Sequence, residues 1–332
     1  MNTKASILLL VTVFFLTGCI AKSDPDNLNH ISLTASVAQM TVDLKSAQSK
    51  ATVTPQNLPF TAKLLFSSDA AKFPFVQTPV APSYIPCHTE VTYSGSDFEF
   101  IKYGSNNLTY PADGGTVYCS GLYPKDNWTI DNDGSSATFN IDGTTDIMFA
   151  DIIQGSWTNP FSTPQDYKHL QTWIKVLVSS NTNDAADKWG KVIKITVKSE
   201  PYVQIQFGNK ADKSSTVSYP AEETAAKDIE VYNSGSATDG TQLSITTEEL
   251  GSVFIVPPTA LLNMVVYTTT FPQGRPVKVK LYDLENNKEI NDRDHTVGKL
   301  FVINLNFTNL DVIEGVCTLN YWNDQDDDLY LE

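Results

Sequence analysis

The stretch HLQTWIKVLV, residues 169 to 178, decides the fold class. Leu170, Thr172, Ile174, Val176 and Val178 recur at every second position. Successive side chains of an extended chain point to opposite faces, so this period marks a strand with one buried face. The same stripe returns at Ile31, Leu33, Ala35 and Val37, at Val203, Ile205 and Phe207, and in LFVINLNF at Phe301, Ile303, Leu305 and Phe307. A chain patterned this way is all-β.

Turn chemistry separates the stripes. Asp113-Gly114-Gly115, Asn132-Asp133-Gly134, Asp142-Gly143 and Asp239-Gly240 are expected to close hairpins, because Gly and Asn tolerate positive φ. Short strands at this spacing predict antiparallel β-sandwiches. A modest helical tendency is confined to YPAEETAAKDIE, residues 219 to 230. The segment QGSWTNPFSTPQ, residues 154 to 165, carries Gly, Ser, Asn and two prolines and reads as a joint between two sets of strands. The expected organisation is residues 1–18 as a leader, 19–50 as a segment with the first strand, 51–155 as an amino-terminal sandwich and 166–332 as a carboxy-terminal one.

The 332 residues include 23 Lys and Arg against 38 Asp and Glu, a formal charge of -15. Nucleic acid and anionic lipid both demand a basic face, so neither is an expected partner. Besides Cys19, three cysteines occur, and Cys87 with Cys119 is the candidate disulfide, set against the commoner fate of sparse cysteines as buried thiols.

The sequence carries no signature of catalysis or cofactor binding. The four histidines show no metal-ligand spacing, and HExxH, GxSxG and phosphate-loop patterns are absent. His169 lies opposite the aliphatic stripe of its strand and reads as a hydrogen-bonding residue, not a base. TIDNDGSS suggests a calcium loop, but placing Gly134 at the loop glycine puts Thr129 first and Asn140 twelfth, where carboxylates are required. No enzyme, cofactor or metal is expected. Trp128, Trp157, Trp173 and Trp189 could supply a sugar-stacking platform, although buried tryptophans are commoner.

The chain begins MNTKASILLLVTVFFLTGCI. The apolar run from Ile7 to Leu16 is about half of the roughly 20 residues that a spanning helix needs, and Lys4 precedes it. These are the parts of a secretory signal. Leu16, Thr17, Gly18 and Cys19 resemble a bacterial lipobox, which implies removal of residues 1–18 and acylation of Cys19; an ordinary cleaved signal is the alternative.

Five stretches in order carry a wider resemblance: GTVYCSGLYPKDNW, TTDIMFADI, DYKHLQTWIKVLV, VFIVPPT and VGKLFVINLNFTNLDVIEGVCTLNYWND. Gly121 to Pro124 resembles an aromatic-Tyr-Pro strand end, Asp146 to Ala150 a following strand, and Gly315 to Trp322 a closing one. Together, from about Ile31 to Trp322, they are similar to the FimA-type fimbrillin family, the type V pilins and fimbrillin-like lipoproteins. The resemblance implies two tandem transthyretin-like sandwiches on an outer-membrane lipoprotein exposed at the cell surface. It also implies a pilus subunit that serves adhesion and has other subunits as head-to-tail partners and a host or bacterial surface receptor. In such subunits a protease removes the first strand, and a carboxy-terminal strand of a neighbour fills the groove.

Arginine occurs only at Arg275 and Arg293, so the candidate maturation sites are Lys45 and Lys50. If neither is cut, the chain keeps its lipid, as a pilus anchor does. A glycan-binding surface lipoprotein is the alternative from another class. At the other end, NDQDDDLYLE sets Leu329 and Leu331 beyond an acidic run, where they read as the apolar pair of a donor strand.

Overall fold

The computed structural model describes residues 33, 35–37, 60–67, 87–93, 98–100, 110–111, 113–132, 134–208, 214–220, 226–283, 288–309 and 312–321. Cys19, Lys45, Lys50, Leu329 and Leu331 lie outside the described residues. Among those described, strands dominate and one helix occurs.

A seven-stranded sheet runs in the order β1 (Ala35–Val37), β9 (Gln165–His169), β8 (Met148–Gly155), β5 (Val117–Tyr123), β2 (Phe60–Ser67), β3 (Cys87–Tyr93) and β4 (Phe98–Phe100). A four-stranded sheet, β13 (Thr216–Ser218), β12 (Tyr202–Gln206), β7 (Ser136–Asn140) and β6 (Trp128–Ile130), shares an apolar core with one face of it. Leu65, Leu122 and Phe149 meet Phe139, Val203 and Ile205 in that core.

The second sandwich pairs β16 (Glu248–Ile255), β10 (Thr172–Ser180), β21 (Lys299–Phe307) and β22 (Ile313–Tyr321) with β14 (Lys227–Asn233), β11 (Lys191–Ser199), β17 (Leu261–Thr268) and β18 (Arg275–Lys280). β15 (Thr241–Gln242) adds to β11, and β19 (Tyr282–Asp283) with β20 (Lys288–Glu289) forms a separate ribbon. The alternation read from sequence is what fills this core. Ile174, Val176 and Val178 of β10 and Phe301, Ile303, Leu305 and Phe307 of β21 all point inward, at about 1.5–3 kcal/mol for each side chain fully buried. The pairings are antiparallel except for β10 with β21 and β1 with β9.

Several local expectations are corrected. Residues 154 to 165 do not separate two sets of strands: they join β8 to β9, which are hydrogen-bonded neighbours. β12, from beyond the expected boundary, pairs along β7, so sheet membership does not divide at that segment. Of the four Gly turns, the one at Gly134 lies between paired strands, β6 and β7; the other three connect strands that are not partners. The helical expectation at 219 to 230 fails where it can be seen, since Lys227–Asn233 is β14. The helix is α1 (Asn183–Trp189). Thr182 caps it by accepting from Ala185 N–H, Asp184 and Lys188 sit at the ends that suit the helix dipole, and Gly190 closes it at φ +71°.

The seven-stranded sheet is apolar on both faces at β2. In β2, Leu65 faces the shared core, while Phe60, Ala62, Leu64 and Phe66 face a second core on the opposite side. Alternation is weak there because both faces are apolar.

Candidate functional site

The site follows from the edge of the seven-stranded sheet. β9 is held on one side by β8, with Ala150 opposite Tyr167 and Met148 opposite His169. On its other side stands β1, three residues in parallel register: Ala35 with Gln165, Ser36 with Asp166 and Val37 with Tyr167. A parallel edge strand of this length brings few hydrogen bonds, each worth a net ~0.5–1.5 kcal/mol. Leu33, just before it, is 2% exposed and sits in the second core with Phe60, Tyr123 and Tyr167.

The strand that receives β1 is built rigidly. Gln165 is buried and donates through Nε2 to the Cys119 carbonyl at 3.1 Å. Tyr167 is fully buried, and burial, reinforced by nearby Cys119, pushes its phenol well above the ordinary range. Its ring meets Phe60 edge-on at 5.5 Å, and Phe60 meets Tyr123 at 5.2 Å. Tyr167 lies over Gly121, which explains a glycine in the middle of β5. Asp166 and Lys168 alternate outward and pair loosely at 3.8 Å. Behind the strand, Tyr110 accepts from Phe161 N–H at 2.9 Å and fastens the link between β8 and β9.

At the end of β9, His169 Nδ1 lies 3.0 Å from Asp146 Oδ1, with side chains 7% and 2% exposed. Gln171 Oε1 accepts from Ile147 N–H at 2.9 Å beside them. The imidazole therefore orders the passage from β9 into β10 and presents nothing to a substrate.

The candidate Cys87–Cys119 bridge is corrected by register. Phe66 of β2 stands opposite Cys87 on one side and Cys119 on the other. Two strand spacings, about 9.5 Å, exceed the Cα separation of roughly 4.4–6.8 Å that a disulfide accepts. Cys119 is a buried thiol in contact with the Ser120 carbonyl. The tryptophan platform is corrected too. Trp128, Trp173 and Trp189 are 8%, 0% and 0% exposed, and only Trp157 reaches the surface at 39%.

Sequence reading missed Gln165, Tyr167 and Leu33 as members of one edge. QDYKH does alternate, but Gln and Tyr are not the apolar residues that a stripe is searched for.

No family model matches the chain, and no curated protein matches it. Solved structures do. A "putative cell adhesion protein" of Bacteroides uniformis aligns at 13% identity and a TM-score of 0.51, over 88% of this chain and 98% of that one. The likeness is one of fold. Another "putative cell adhesion protein", from Bacteroides ovatus, aligns at 13% identity and a TM-score of 0.49, over 90% of this chain and 99% of that one. A fimbrial protein of Bacteroides vulgatus aligns at 13% identity and 0.39, over 88% and 99%.

Proposed function

We propose that this chain is a fimbrillin-like structural subunit of a cell-surface pilus, with two transthyretin-like sandwiches, assembled head to tail by strand exchange and serving adhesion. The observation that carries the reading is the β1–β9 edge. A three-residue parallel strand, plugged by Leu33, covers one side of β9 and one end of an apolar core.

Removal of the leader after Lys45 or Lys50 would take β1 with it. Backbone groups of residues 165–167 and the place of Leu33 would then be open, while β9 would keep its pairing with β8. An exposed strand edge beside an apolar groove is satisfied by a strand in trans. The tail supplies one in kind, with Leu329 and Leu331 two residues apart and so on one face of an extended chain. A head-to-tail contact of this type does not close on itself and so propagates. Acylated Cys19 would hold the uncut chain to the outer membrane, since several long acyl chains suffice without a spanning helix. The other partners in this reading are further pilus subunits and a surface receptor; no cofactor is needed.

The test compares three purified chains by electron microscopy: residues 20–332, residues 51–332 and residues 51–326. Filaments from the second alone support the reading. Filaments from the third as well, or none from the second, overturn it.

A second reading, the pilus anchor, is favoured by one observation: Arg275 starts β18 and Arg293 pairs with Glu200 at 2.8 Å, so both arginines fall late in the sequence and none falls among residues 19–50. Uncut, fatty-acylated protein confined to one end of isolated filaments would establish it. Protein beginning after Lys45 or Lys50 along their length would exclude it.

A further inference from the structure

The outer face of the sheet containing β11 and β17 holds a pocket of ≈ 380 Å³, lined among others by Lys194, Asn233, Gly235, Ser236, Tyr267 and Pro272. Its size is in the range of small-ligand sites, about 300–1,000 Å³. Tyr267 is half-buried between Val266 and Thr268, whose side chains face the core. Its ring is braced by the turn at Gly274, φ +83°, where a Cβ would meet ring carbons at 2.7 and 3.0 Å.

The polar wall is a hydrogen-bonded network at the surface beside the ring. Lys194 Nζ lies over the Tyr267 ring, 6.0 Å from its centroid, and 3.1 Å from Glu230 Oε2, so a ligand against this face also meets the ammonium. Asn233 donates through Nδ2 to the same Glu230 oxygen at 2.9 Å, and its Oδ1 accepts from Gly235 N–H at 2.9 Å. Amine, carboxylate and amide are thus set beside an aromatic ring before any ligand arrives, which lowers the ordering cost of binding.

We propose that this pocket binds a neutral glycan, with one pyranose ring laid against Tyr267 and adjacent hydroxyls exchanging hydrogen bonds with Asn233, Lys194 and Glu230. An apolar ring face next to a few converging polar groups suits a sugar, which offers C–H groups on one side and hydroxyls at its rim. Charge selects against acidic glycans. Lys194 is already matched by Glu230, and a chain of formal charge -15 repels anions. The site belongs to the single subunit, so it stands or falls apart from filament assembly.

The experiment is calorimetric titration of the full chain with maltotetraose, cellotetraose and N-acetylchitotetraose, and with hyaluronan tetrasaccharide as the acidic comparison. At least one neutral sugar is expected to bind with a Kd of roughly millimolar or tighter. Tyr267→Ala should weaken that binding by about tenfold or more, and Asn233→Ala should weaken it while the chain keeps its native circular dichroism spectrum, because that side chain is exposed and outside the core. The alanine at Asn233 keeps the test decisive if the tyrosine variant fails to fold. Absence of binding by every neutral sugar at about 10 mM, binding of the acidic sugar alone, or wild-type affinity in Asn233→Ala would overturn the proposal.

Discussion

Tyr167 lies so close over Gly121 that a methyl group at 121 would meet the phenol oxygen at 2.2 Å and Cζ at 2.6 Å. Tyr167 is on β9, the strand of the candidate edge, and Gly121 on β5 beyond β8, and neither atom is the far end of a flexible chain, since the ring is fully buried. Gly121→Ala should therefore destabilise the protein by about 1–3 kcal/mol. Tyr167→Phe in the same chain should return part of that loss, because the nearest colliding atom is gone. A double-mutant cycle read by denaturant melting checks this; simple additivity would show that the two residues do not press on each other.

The Asp146–His169 pair gives a second expectation. Both side chains are buried at 3.0 Å, and Asp146→Ala would leave the imidazole without its carboxylate. A loss of about 1.5–3 kcal/mol is expected, the range for a hydrogen bond to a charged group. Thermal melts decide it, and a variant within about 0.5 kcal/mol of wild type would show that the contact is dispensable.

Alkaline pH should unfold the protein through groups held protonated by burial. Tyr219 is pushed up to about 12 by burial, Cys317 likewise to about 12, and Tyr123 and Tyr167 are raised by the same cause. A group whose folded pKa is raised contributes stability that is complete below its unfolded pKa and is lost as pH climbs towards the folded one. Starting values of 9.0 for Cys317 and 10.0 for Tyr219 place that window between pH 9 and about 12. Tyr219 alone accounts for roughly 3 kcal/mol. Tyrosinate absorbance should rise together with loss of the native circular dichroism signal, whereas full titration near pH 10 in the folded state would contradict the burial described.

Thiol chemistry tests the corrected disulfide. Cys119 and Cys317 are buried and neither forms a bridge. Both should resist maleimide in the native state and react after denaturation, and peptide mapping should find no Cys87–Cys119 linkage. A linked peptide pair would mean that the register placing Phe66 between them is wrong.

These outcomes bear on how far the fold could be read in advance. Ile174, Val176 and Val178, like Phe301 to Phe307, have a polar or solvent-side neighbour at each step, and period two identified them directly. β2 and β5 were harder because the sheet is apolar on both faces, and a stripe disappears when both sides are greasy. The helix is not legible in the sequence, although Thr182, Asp184, Lys188 and Gly190 mark both its ends, because seven residues are too few for a helical period to emerge. At residues 154 to 165 the physical reason is different. Gly and Pro show where a ladder must stop, but not whether the next strand returns to the same sheet, as β9 does beside β8. At the candidate site, Leu33 and Val37 were visible as part of a strand, whereas their partner β9 became visible only through register.

The central claim is that β1 is a replaceable cover for β9. Its most direct test is hydrogen exchange at the amides of residues 165 to 169, measured in residues 20–332, in residues 51–332, and in the latter with a synthetic peptide of residues 321–332. The account predicts slow exchange in the first, faster exchange in the second, and protection restored by the peptide but not by one in which Leu329 and Leu331 are Ser. Equal protection in all samples, or no response to the peptide, would contradict strand exchange at this edge.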